Sequence, residues 1–216
     1  MAMSSAWAWV QRDLAKTTRV CSYDRAGLGW SEAGDGPFMP QSVPQELHAL
    51  LTGGGERPPY VLAGAEFGAA LATLYAARYP DDIAALVLVN PPGAFRSNAP
   101  GPSTTFVTIA PWLARTGLLR ATRTLTLGTR ELPQPSAAIM RAFLNRPDHL
   151  TRAARELSRW DETVMLSEAV TLPRSLPVTQ VEVEGNDRIA LLANRRNALD
   201  ISASIARAVR DVRLGR

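Results

Sequence analysis

With 216 residues, 46 % hydrophobic and 20 % charged, the chain can bury one sizeable core and has the make-up of a soluble globular protein. Its net charge of +4 comes almost wholly from arginines spread along the sequence, with no dense run interleaved with aromatics, so a nucleic-acid groove is not expected. A single cysteine, Cys21, excludes an intrachain disulfide; no run reaches the ~18 apolar residues of a membrane span, and the N-terminus lacks the basic region of a signal peptide, so the expected location is the cytoplasm.

Taken in order, Ala6 to Lys16 reads as a short amphipathic helix, with Trp7, Val10 and Leu14 on one face. Thr18-Arg-Val-Cys-Ser-Tyr-Asp24 is β-prone, and Cys21 within it reads as a small buried core residue. Arg25 to Ser31 is rich in turn formers, and Glu32 to Pro40, with its glycines and prolines, must be loop. Val43 to Leu51 is a helix stopped by Gly53-Gly-Gly55. Tyr60 to Ala63 predicts a buried strand, Gly64 to Gly68 a tight turn, Ala69 to Tyr79 an alanine-rich helix ended by Pro80, and Ile83 to Asn90 a second apolar strand. A crossover helix between two strands makes them parallel.

From residue 94 to about 172 proline and glycine become frequent, and the periodic pieces are helical: Trp112 to Leu119, Ser136 to Leu144 and His149 to Trp160. This predicts a helical lid inserted into a single domain spanning 1–216. Val178 to Val183 alternates and predicts a third parallel strand, and Ile201 to Val212 is a terminal amphipathic helix.

The stretch from Pro59 to Asn90, with Gly64-Ala-Glu-Phe-Gly68 at its turn, resembles the central strand, nucleophile elbow, helix and next strand of the α/β-hydrolase superfamily. Upstream, Tyr23-Asp-Arg-Ala-Gly-Leu-Gly-Trp-Ser31 is similar to the Asp-Arg-x-Gly-x-Gly-x-Ser loop of the same family. Two motifs in the right order imply the fold: α/β, a mostly parallel sheet with flanking helices and a helical lid.

The resemblance implies that the elbow's central residue is the nucleophile, held on a strained strand-to-helix turn. Small residues two positions before and after it, Gly64 and Gly68, let the turn pass close to its neighbours. The amide that follows, that of Phe67, would be one oxyanion donor. Most relatives carry serine at the centre, and some, the epoxide hydrolases and dehalogenases, aspartate. This chain has Glu66. Glutamate's extra methylene displaces the attacking oxygen by more than about 1 Å, enough to spoil attack geometry. The alternative is an anion resting at a helix N-terminus, stabilised by about 0.3–1 kcal/mol.

The family's base is a histidine after the last strand. Only His48 and His149 exist here. His48 lies on the helix before the elbow, where a packing role is expected, and His149 follows Asp148, which reads as a helix-start residue. Gly185-Asn-Asp-Arg-Ile189 resembles the family's acid-bearing loop and makes Asp187 the candidate acid, with a turn aspartate as the alternative. Arg188 falls where another alignment would put the histidine loop, and Asn90 occupies a site where relatives sometimes carry an acid.

Measured against relatives, the strand and His-Gly-type loop that supply the second oxyanion donor would precede Met1, and no clear final strand follows Asp187. The 60–63 strand is then expected to have an open edge, to pair directly with 18–24, or to be completed by a second copy in a homodimer. No cofactor and no metal are expected. The expected function is a hydrolase by descent, with ester or related acyl substrates by analogy and a degenerate catalytic site. The alternative is a non-catalytic protein that binds a small apolar ligand or a protein partner.

Overall fold

The structure is a computed structural model and describes residues 3–34, 36–93, 104–117, 121–122, 124–184 and 190–215. The chain divides into two compact units: residues 1–38, 101–158 and 183–202 form one, and residues 39–100, 159–182 and 203–216 the other. The expected lid, 94–172, is shared between them: 101–158 belong to the first unit and the rest to the second.

The second unit holds the sheet. Strands β1 (Tyr60–Ala65), β2 (Ile83–Val89) and β3 (Val178–Val181) lie in the order β1-β2-β3, and both pairings are parallel. Leu62 pairs with Leu86 and Ala65 with Val89. β2 runs between two neighbours, and its residues Leu86, Val87 and Val89 are fully buried, as its unbroken apolar run requires. β3 is shorter than the alternation at 178–183 implied; its first three residues are exposed and Val181 is buried.

Helix α3 (Phe67–Arg78) makes the β1-to-β2 crossover and packs on both strands. It is alanine-rich because a helix lying close on a sheet leaves little room: Ala69, Ala70, Ala72 and Ala76 are all buried. Helix α2 (Val43–Gly53) packs against α3, as does a helix over Trp160–Ala169. The sequence pattern ran one helix from His149 to Trp160. The structure has two, Pro147–Leu157 and Trp160–Ala169, broken at Ser158 and Arg159. The terminal helix is also longer than expected, Arg195–Arg213.

The first unit is built from the 3-10 turn Ser4–Trp7, α1 (Ala8–Leu14), the loop that follows, α4 (Thr104–Arg115), α5 (Ser136–Phe143) and α6 (Pro147–Leu157). Trp9 donates from its indole to the Glu131 carbonyl, and Arg195 forks onto Asp13. One expectation fails here. Residues 18–24 form no strand, and Cys21 is exposed rather than buried. β propensity is realised only against a ladder partner, and the three-stranded sheet does not include this segment. Its fixed points are instead side-chain hydrogen bonds, Ser22 to Gln11 and the Ser4 amide to Asp24.

The two glycines of the elbow differ. A side chain on Gly64 would run into the backbone of Gly68 and Ala69, whereas one on Gly68 meets nothing within 4 Å. Gly64→Ala should therefore destabilise by about 2 kcal/mol or more, the cost of overpacking against backbone. Gly68→Ala lies inside a helix and should stabilise by up to about 1 kcal/mol. Urea midpoints of the two variants check both signs.

Candidate functional site

At the carboxyl ends of β1 and β2 the backbone does something unusual twice. Glu66 has φ 48° and Asn90 φ 44°, the positive-φ residues other than glycine among those described. The register joins them: Ala65 pairs with Val89, so Glu66 and Asn90 are the next residue on each of two adjacent strands. Non-glycine residues at positive φ cost on the order of 1–3 kcal/mol and persist where surroundings over-determine them. The carboxyl end of a parallel sheet is also where such folds bind ligands.

The surroundings of Glu66 are explicit. Its amide donates to the Val89 carbonyl at 2.8 Å, extending the ladder one step past the strand. Its own carbonyl accepts from the amides of Ala69 and Ala70, at 2.8 and 3.3 Å, closing the first turn of α3. Glu66 is the N-cap residue of that helix, with ψ −116°, and so stands at the positive end of the helix dipole. Phe67, which opens the helix, is buried, and its ring stacks on Trp160 with centroids 5.4 Å apart. Asn90 donates its amide to Val181 at 2.9 Å. Gly93, at φ 94°, lies against the Glu168 carboxylate. The sequence flagged Glu66, Phe67 and Asn90; it did not flag Trp160 or Glu168, which are 70 or more residues away from the elbow or its following turn in no recognisable motif.

His48 is held away from this chemistry by its own partners. Its Nδ1 lies 3.0 Å from Asp82 Oδ2, and its ring stacks on Tyr79 at 4.2 Å. Asp82 Oδ2 also accepts from the Tyr75 hydroxyl at 3.0 Å. Burial, and that donation to a carboxylate, push the Tyr75 phenol well above its ordinary value. The packing role expected for His48 is the one found. Asp187 and Arg188 lie outside the described residues.

His149 sits in the first unit, in the opening turn of α6, and is 3 % exposed. Its Nδ1 accepts a hydrogen bond from the Gly29 amide at 3.2 Å, which puts the ring proton on Nε2, a buried atom with no partner among the described residues. Burial pushes its pKa down to about 4. The loop it holds is the second sequence motif. Asp24 accepts from the amides of Ser4 and Trp30, at 2.7 and 3.2 Å, and its backbone carbonyl accepts from the Ser31 hydroxyl. Gly29, at φ 51°, lies so close to the Asp24 carboxylate that any side chain there would collide with it. Arg25 forks onto the buried Glu156, through Nε at 3.1 Å and Nη2 at 2.5 Å. No sequence signal marked Glu156, because the pair spans 131 residues. Among the described residues no group of three His, Cys, Asp or Glu could hold a metal ion.

Comparisons with known proteins identify the family and the fold. The alpha/beta hydrolase fold family matches residues 1–161. The protein YqjL of Bacillus subtilis is 30 % identical over 88 residues, 41 % of this chain and 35 % of that protein. An AB hydrolase superfamily protein of Gibberella zeae is 40 % identical over 75 residues, 34 % of this chain and 23 % of that protein. The chain thus spans about a third or less of the curated relatives it matches. Among solved structures, the enol-lactonase of Burkholderia xenovorans superimposes with a TM-score of 0.69 at 18 % identity, over 96 % of this chain and 87 % of that one. A thermophilic esterase of Thermogutta terrifontis gives 0.67 at 18 % identity, over 97 % and 86 %. At that identity the likeness is one of fold.

The His149 contact sets a pH dependence. A histidine with pKa about 4 folded and 6.5 unfolded binds more protons when unfolded between those values. Stability is therefore complete above pH 6.5 and falls as the pH drops toward 4, by about 3 kcal/mol in all. His149→Asn keeps an acceptor for Gly29 and cannot titrate. The difference in unfolding free energy between wild type and this variant should shrink as pH falls from 7 to 4, by roughly that amount.

Proposed function

The chain belongs to the alpha/beta hydrolase fold family, and from that premise we propose that it retains the elbow of a hydrolase without serine-type hydrolysis. One observation carries this reading. The residue on the strained turn at the carboxyl end of β1 is Glu66, with the backbone of an elbow and the side chain of a carboxylate. A serine there would form an acyl-enzyme once a histidine took its proton. A carboxylate needs no activation to attack, but the ester it forms must be hydrolysed by water that a base has activated. Both histidines of the sequence have partners of their own, His48 in Asp82 and Tyr79, and His149 in the Gly29 amide.

By descent the substrates would be esters or related acyl compounds. Binding without turnover would draw on the aromatic pair beside the elbow, Phe67 on Trp160, whose half-buried Trp160 ring is apolar surface for a small ligand. On this reading Glu66 fixes the polar end of the ligand, or serves as an anion at the head of α3, and Asp187 keeps at most an orienting role.

Loss of serine and histidine from a triad costs on the order of a million-fold in rate. Turnover of a short-chain p-nitrophenyl ester should stay near that of buffer, and Glu66→Ala should leave it unchanged. Glu66→Ser alone should not restore it, since no base is added, and a fluorophosphonate probe should not label the wild type. Rapid hydrolysis abolished by Glu66→Ala would reverse the reading and make glutamate the nucleophile.

A further inference from the structure

Packing accounts for one part of His48 and leaves another part unused. The residue stands on α2, with Nδ1 3.0 Å from Asp82 Oδ2 and one ring face stacked on Tyr79 at an interplanar angle of 8°. Its other nitrogen, Nε2, makes no hydrogen bond among the described residues, and 41 % of the side chain is exposed. Asp82 ends the turn Pro80–Asp82, and the same Oδ2 accepts from the Tyr75 hydroxyl, so the carboxylate is anchored independently of His48. A carboxylate can only accept, so the proton between it and the ring is carried on Nδ1. In the neutral ring Nε2 is then the nitrogen with the lone pair. A carboxylate held on Nδ1–H also stabilises the positive charge that develops on the ring when Nε2 attacks an electrophile.

The pair is remote from the elbow. Asp82 precedes β2 and Asn90 follows it, so the seven residues of that strand separate them, on the order of 25 Å of extended chain. His48 therefore serves no step at Glu66. The groups around the ring also select the electrophile. A phosphoryl donor is anionic, and the contacts of His48 are a carboxylate and a phenol ring, which offer it no cation. An activated acyl group is uncharged at the reacting carbon and meets no such repulsion.

We propose that His48 is an acyl-accepting site for small activated acyl donors, aryl esters and anhydrides, with Nε2 the nucleophile and Asp82 its positioning residue. The Nε2 lone pair forms a bond to the acyl carbon, and the bond from that carbon to the leaving oxygen breaks, its electron pair going to the oxygen. The acyl-imidazolium keeps its proton on Nδ1, paired with Asp82. Water then adds to the acyl carbon and the bond to Nε2 breaks, so that the ring is restored as the carboxylic acid and one proton leave. This is a labelling reaction, too slow to raise steady-state ester turnover above that of buffer.

Diethyl pyrocarbonate, an anhydride of this class, tests the site on the full chain, with peptide mapping by mass spectrometry to locate the adduct. The sequence has two histidines, and His149 is 3 % exposed. In the folded protein His48 should be modified several-fold faster than N-acetylhistidine amide at the same pH, and His149 should be modified only after unfolding in urea. Shielding by Tyr79 acting alone would make His48 slower than the free compound, so this comparison separates positioning from exposure. Asp82→Asn removes the carboxylate charge and should slow the reaction at His48 about tenfold or more, with its far-ultraviolet circular dichroism unchanged. His48 reacting no faster than the free compound overturns the proposal, as does an equal rate in wild type and Asp82→Asn. The first comparison is made on the wild type, so it holds whether or not the variant folds.

Discussion

The second unit is organised by one close approach, the passage of Gly64 beneath the backbone of Gly68 and Ala69. This lets the chain leave β1, reverse at Glu66 and enter α3 within a single residue. The same approach fixes where α3 lies on β1 and β2, and hence why its inner face is alanine. A larger side chain at position 64 would lift the helix from the sheet, and the ladder step from the Glu66 amide to Val89 would be lost with it. Backbone strain at Glu66 is thus tied to the packing of Gly64 beneath the helix.

A comparable arrangement holds the loop from Asp24 to Ser31. Gly27 and Gly29 adopt positive φ, which other residues rarely do, and two of the loop's amides are satisfied by side chains, Trp30 by Asp24 and Gly29 by His149. Arg25 reaches a glutamate that is 1 % exposed. A buried pair of this kind contributes little net stability over an apolar substitute, yet breaking it from one side costs about 3–5 kcal/mol. It therefore acts chiefly to allow one placement of the loop on α6 and no other. The neutral state of His149 belongs to the same arrangement, since a protonated ring would turn a second N–H toward the Gly29 amide.

What the sequence made legible was whatever local pattern or local sterics determine. The apolar runs of β1 and β2, the alanine-rich crossover and the elbow with its glycine spacing are each specified within about thirty residues, and they appear in the structure at nearly the expected bounds. Residues 18–24 have strand composition but no strand, because a strand is a property of two segments and composition reports only one. Gly68 matched the motif, yet the space around it shows that only Gly64 is sterically required. Trp160, Glu168 and Glu156 were not visible for a third reason. Each meets its partner through the tertiary fold, and one sequence read by itself carries no sign of a contact between residues so far apart.

These three cases bear on how the elbow is to be understood. Its geometry is secured by Gly64, by the ladder bond to Val89 and by the carbonyl of Glu66 accepting from Ala69 and Ala70, all of them backbone features. None involves the side chain at position 66. The turn can accordingly hold serine, aspartate or glutamate with the same φ and ψ, at a similar cost in strain. Chemistry, by contrast, depends on the reach of that side chain and on a base within hydrogen-bonding distance, which the backbone does not supply. Fold and reaction are therefore separable at this residue: the elbow rests on backbone features, and those features leave its chemistry to the side chain.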